Sequence, residues 1–98
     1  MGATFEDSKK YNLSKPELIQ NAKEAIEISK FETEQIDEEN GIIYAKSKLN
    51  IWSWSEKIVI RIEKDGNVTI KSECYLSTQI FDWGKNKRNV KTLFEHME

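Results

Sequence analysis

The residues able to do chemistry are few, and most of them point away from catalysis. Histidine occurs once, at His96, two residues from the end of the chain, and cysteine once, at Cys74. A catalytic triad or a zinc centre needs more of both, and no spacing here resembles a zinc motif. Phosphate-cradling glycine patterns and the G-x-S-x-G nucleophile elbow are missing as well. Carboxylates crowd at Glu32, Glu34, Asp37, Glu38 and Glu39, a pattern that reads as a solvated strand end and turn, with a weak cation site as the alternative. Cys74 continues an inward-facing strand pattern and reads as a small core residue, not a nucleophile. The chain is therefore expected to be non-enzymatic, with no cofactor and no metal.

Two other groups are candidates for binding. Trp52 and Trp54 in "NIWSWSE" share parity, so an extended backbone would aim both rings the same way. With Trp83 they either seal the end of a small core or form an aromatic platform for a ligand or partner. The second group lies in "FDWGKNKRNV", residues 81–90. Lys85, Lys87, Arg88 and Lys91 fall in the first turns of an expected helix. Cations there oppose the helix dipole, and such a site attracts phosphate or acidic groups. The same stretch has structural uses, because Asp82 suits an N-cap, Asn86 suits local hydrogen bonding, and Gly84 suits a tight backbone approach. Candidate binding residues are thus Trp52, Trp54, Trp83, Lys85, Lys87 and Arg88, with the structural role of the motif weighted first.

The elements that must position these residues follow from periodicity. Ser14 and Glu17 have the spacing of a capping box, with Pro16 in the first turn. Leu18, Ile19, Ala22, Ala25, Ile26 and Ser29 then recur on one helical face, so a helix is expected from Lys15 to Ser29. A short strand is expected before it, over Lys9–Leu13. After it the period changes to two. One strand places Phe31, Thr33 and Gln35 on one side, and Asn40-Gly41 signals a type I′ hairpin. Ile42 to Leu49 forms the next strand, with Ile43, Ala45 and Leu49 on one face. Lys57 to Glu63 alternates, with Ile58, Ile60 and Ile62 inward. Asp65-Gly66 makes a second tight hairpin, followed by Val68, Ile70, Ser72 and Cys74 facing the core. Val90, Leu93, Phe94 and Met97 form the buried stripe of a last helix, expected to pack on the Ile58 and Val68 strands.

The expected fold is one α+β domain over residues 1–98: a two-layer sandwich in the order β-α-β-β-β-β-α. An antiparallel meander sheet carries both helices on one face. The other face, with Tyr44, Val59, Arg61, Thr69, Lys71 and Tyr75, is expected to be solvated.

Asp82, Gly84, Asn86, Arg88, Val90 and Leu93 match the pattern D-x-G-x-N-x-[KR]-x-V-x-x-L. This resembles the C-terminal signature of a bacterial family known as domain of unknown function 1499. In that family a basic residue and a serine precede the Asp on a strand, as Lys71-Ser72 do here. This chain departs by about two extra residues between the serine and Asp82, and the match covers about a quarter of its length. The resemblance implies a bacterial protein and carries over no activity. The element order also looks like a shortened helix-grip arrangement, an architecture of many lipid- and ligand-binding domains, which is an analogy of fold alone.

Composition sets the remaining bounds. Of 98 residues, 38% are hydrophobic and 33% charged, with a net charge of −2. That is too periodic in apolar positions for a disordered chain, and too nearly neutral for a global attraction to nucleic acid. No apolar run reaches the length of a membrane span. Met1 to Lys10 lacks the apolar segment of a signal peptide, and Glu6 stands where a myristoylation site wants Ser or Thr. A lone cysteine fits a reducing compartment, so a cytoplasmic location is expected. The expected function is a small soluble binding or interaction module whose partner the sequence leaves open between a protein and a small apolar ligand. Alternatives are an apolar-ligand binder between helix and sheet, and a phosphoanion or nucleic-acid binder at the start of the last helix. Nucleic acid is disfavoured by the acidic 32–39 stretch.

Overall fold

The structure is a computed structural model that describes residues 4–47, 56–74 and 83–97. In chain order the elements are β1 (Thr4–Lys10), α1 (Lys15–Ile28), β2 (Glu32–Asp37), β3 (Ile42–Lys46), β4 (Glu56–Ile62), β5 (Asn67–Cys74) and α2 (Trp83–Met97). The five strands form one antiparallel sheet in the order β1-β5-β4-β3-β2. Consecutive strands from β2 to β5 are neighbours, so they build a meander. β1 instead pairs with β5, and α1 carries the chain from one edge of the sheet to the other. This is the expected α+β sandwich.

Local chemistry sets the ends of α1. Ser14 caps it, the Glu17 side chain reaches back to the Ser14 backbone N–H at 3.2 Å, and Pro16 sits in the first turn. The other end closes without glycine. Lys30 takes the left-handed conformation at φ 63°. The Phe31 N–H donates to the Ile26 carbonyl and the Lys30 N–H to the Glu27 carbonyl, both at 3.0 Å. These are the two bonds of a Schellman cap.

The strands depart from the expected pattern in three places. β1 covers Thr4–Lys10, not Lys9–Leu13. Its sequence has one apolar residue, so backbone pairing with β5 defines it, and the inward charges Asp7 and Lys9 suit an edge strand. β2 carries an irregularity between Thr33 and Gln35. That extra residue restores phase, so Thr33 opposite Ala45 and Ile36 opposite Ile43 share the covered face. Neither hairpin is type I′. Gly41 at φ 67° and Gly66 at φ 94° are the only residues of their turns with positive φ. At Gly66 the N–H bonds the Glu63 carbonyl at 3.0 Å, and Glu63 N–H bonds the Asn67 carbonyl at 2.9 Å. This is a three-residue loop of type I followed by a left-handed glycine. A Cβ on Gly66 would strike the Tyr11 carbonyl, and the Tyr11 N–H donates to the Gly66 carbonyl at 2.9 Å, so this turn also anchors the end of β1.

Both helices cover one sheet face. α2 lies over β1 and β5 and against α1, while α1 takes β2 and β4. Val90, Leu93, Phe94 and Met97 share one core cluster with Ile58, Ile60, Ile62, Val68 and Ile70, as expected, and α2 lies over β1 as well. The core is one cluster in which Leu18, Ala22 and Ala25 of α1 meet Ile43, Ile58, Ile60 and Ile70 of the sheet and Val90 and Leu93 of α2. Phe94 is buried at 2% exposure, with the Lys9 ammonium 5.2 Å from its ring centre.

Candidate binding site

Two polar constellations stand out, one inside the fold and one on its surface. The inner one joins five buried residues. Ser47 follows β3 and Glu56 opens β4, so they face each other across the base of the 48–55 segment. The Glu56 N–H donates to Ser47 Oγ at 2.8 Å, and the Ser47 hydroxyl donates to Glu56 Oε1 at 2.7 Å. Asn89 of α2 donates from Nδ2 to the same Oε1 at 3.0 Å and to Ser72 Oγ at 3.3 Å. The Ser72 hydroxyl in turn donates to Asn86 Oδ1 at 2.8 Å. Glu56, Ser72 and Asn86 are fully buried. No ligand can touch Glu56 without opening the core, so this carboxyl group works as a fastener between the sheet and α2.

The network also explains part of the C-terminal motif. Its asparagine, Asn86, reaches the serine on β5 that precedes the motif in sequence. α2 begins at Trp83, directly after the expected N-cap. Asp82 itself, with Trp52, Trp54 and Tyr75, lies outside the described residues. Trp83, Gly84 and Lys85 belong to the first turn of α2, and their side chains fall outside the described set. Lys87 and Arg88 join Lys91, Thr92 and Glu95 around a shallow hollow of about 330 Å³ on the outer side of α2.

The surface constellation is the face of the sheet that no helix covers. Alternation along β3, β4 and β5 sends Tyr44, Lys57, Val59, Arg61, Thr69 and Lys71 to this side. Register then assembles them. Tyr44 stands opposite Val59, Val59 opposite Lys71, and Arg61 opposite Thr69. Together with Glu6 of β1 and Glu73 of β5 they line a groove of about 410 Å³. Its floor is the tyrosine ring and the valine, and cations surround that floor.

The charges of this face are unevenly matched. Lys46 pairs with Glu32 at 3.3 Å and Glu34 at 3.8 Å, and Lys71 stands 4.0 Å from Glu73. Among the described residues, Lys57 and Arg61 have no carboxylate within 4 Å. Lys57 is also directly opposite Lys46 across the β3–β4 ladder, an arrangement that repels. Sequence periodicity places these residues on the solvated face, but their meeting around Tyr44 depends on strand register.

Among the described residues, no group of three or more His, Cys, Asp or Glu could hold a metal ion, and no helix is long and apolar enough to cross a membrane. Compared with known proteins, the chain matches no family model, and no curated protein shows significant similarity to it.

Proposed function

We propose that this chain is a non-enzymatic binding module, working in the cytoplasm, that holds an anionic partner on the open face of its sheet. One observation carries this reading. Lys57 and Arg61, without carboxylate partners among the described residues, stand with Lys71 around a Tyr44–Val59 floor in a groove of about 410 Å³. A volume above about 300 Å³ is in the range of ligand sites. Lys57 and Arg61 can meet an anion without first breaking an internal ion pair among the described residues, whereas Lys71 shares its charge with Glu73 at 4.0 Å.

Binding rather than catalysis fits the chemistry of the groove. Lysine, arginine, tyrosine and valine provide attraction and a platform. The one fully buried carboxyl group among the described residues, Glu56, accepts from Ser47 and Asn89 through Oε1 inside the core, away from the groove.

A second reading places the anion on α2, where Lys87, Arg88 and Lys91 line the smaller hollow. Calorimetric titration of a panel of anions separates the two, using a heparin oligosaccharide, a polyphosphate and a polyglutamate peptide. On the sheet-face reading, at least one of them binds at low salt and is lost when Lys57, Arg61 and Lys71 are replaced by glutamine, while the Lys87, Arg88 and Lys91 triple replacement retains it. The reverse pattern selects α2. Silence from every member refutes both.

A further inference from the structure

We infer that the occupant of the open face is an extended acidic polypeptide segment, laid along β4 and held by side chains; this rests on the sheet-face reading above. Lys57 and Arg61 are four residues apart on one strand, which separates their origins by about 13 Å at ~3.3 Å per residue. Lys71 projects between them from the neighbouring strand, opposite Val59. An extended polypeptide places alternate side chains on one side about 6.6 Å apart, so acidic residues at every second position meet the three cations in turn. Tyr44 and Val59 give its backbone a low apolar bed.

The border of the groove selects against a polyphosphate. Glu6 and Glu73 are part of the same lining, and Glu73 stands directly opposite Lys57. A nucleic acid carries a negative charge at every step and meets these carboxylates somewhere along its length. A polypeptide can place a neutral or basic residue there. Tyr44 is also the one aromatic ring in the lining, whereas single-stranded nucleic acids are held by rings that stack successive bases.

The mode of attachment follows from topology. β3, β4 and β5 each have neighbours on both sides, so their backbone groups are used within the sheet. The segment cannot add as a further strand over this groove, and its hold is by charge. Affinity should therefore fall as salt rises.

The test titrates an octapeptide of alternating glutamate and alanine, and octathymidylate, in parallel and at low salt, into the isotopically labelled full chain. The acidic peptide is expected to shift the amides of Tyr44, Lys57 to Arg61 and Thr69 to Glu73, and to bind more tightly than octathymidylate. The Lys57→Gln/Arg61→Gln variant should weaken it by between about twofold and about thirtyfold, as for two exposed ion pairs. Both substituted residues are exposed, and circular dichroism checks that the fold is retained. If octathymidylate binds as well as or better than the acidic peptide on this face, the acidic-segment inference falls and the sheet-face reading stands. If no anion perturbs the face, both fall.

Discussion

Removing Glu56 tests whether the buried network fastens α2 to the sheet. Glu56→Ala deletes the acceptor for the Ser47 hydroxyl at 2.7 Å and for Asn89 Nδ2 at 3.0 Å. Hydrogen bonds to a charged group contribute about 1.5–3 kcal/mol each, and the one lost methylene adds about 0.8 kcal/mol. The gross loss is then roughly 4–7 kcal/mol, offset by up to a few kcal/mol because a carboxyl group no longer has to be desolvated. The net expectation is about 3–5 kcal/mol, as for breaking other buried charged contacts. Against a total stability of about 5–15 kcal/mol for a single domain, this brings the chain close to unfolding. Glu56→Gln keeps Oε1 as an acceptor and should cost about 1–2 kcal/mol, since it removes only the charge assistance and adds a donor to be satisfied. Urea titration followed by far-ultraviolet circular dichroism reads both values. A cost below about 1 kcal/mol for the alanine variant, with an unchanged m-value, refutes the fastening role. Equal costs for both variants would show that the loss lies in what glutamine also lacks, the second carboxyl oxygen, and not in side-chain volume or in the hydrogen bonds to Oε1.

Two further outcomes follow from the helix ends and turns. Lys30→Gly should stabilise the fold by about 0.5–1 kcal/mol, because the left-handed conformation costs an L-residue about 1–2 kcal/mol and glycine returns about half of that as unfolded-state entropy; a loss of stability in thermal melts would contradict the Schellman assignment. Hydrogen bonds from Ser14 hold Glu17 below the usual carboxylate range, and those from Asn40 do the same for Asp37. A depressed folded pKa gives stability that is present above the unfolded value, about 4.3 for glutamate, and lost as pH falls through the folded value. The melting-temperature difference between wild type and Glu17→Gln should therefore be largest at neutral pH and shrink below about pH 4; a difference constant from neutral to acid would refute the capping-box contribution.

Legibility in the sequence tracked how local each feature was. The alternation in β4 and β5 is visible because Ile58, Ile60, Ile62, Val68 and Ile70 repeat every second residue, and α1 announces itself by its capping box. β1 has no such period, since only its pairing with β5 defines it. The irregularity near Glu34 and the turn types depend on backbone conformation at single residues, where Asn-Gly and Asp-Gly admit more than one loop. The Schellman cap is hidden because Lys30 replaces the expected glycine. The polar network was partly foreshadowed, since Ser72 and Asn86 are both part of the C-terminal resemblance. Glu56 and Asn89 were not, because they are 33 positions apart in sequence and meet only through tertiary packing. The open-face residues were assigned to the correct side of the sheet, but Tyr44, Val59 and Lys71 become one groove only once the β3–β4–β5 register is known.

The central claim is that the uncovered sheet face is the binding surface. The most direct measurement is an amide chemical-shift map of the full chain, recorded during titration with whichever anionic probe binds most tightly in calorimetry. The account predicts that the largest shifts fall on Tyr44, Lys57, Val59, Arg61, Thr69 and Lys71, and that they diminish as salt is raised. Shifts concentrated between Lys87 and Glu95 on α2, or none on β3, β4 and β5, would contradict it.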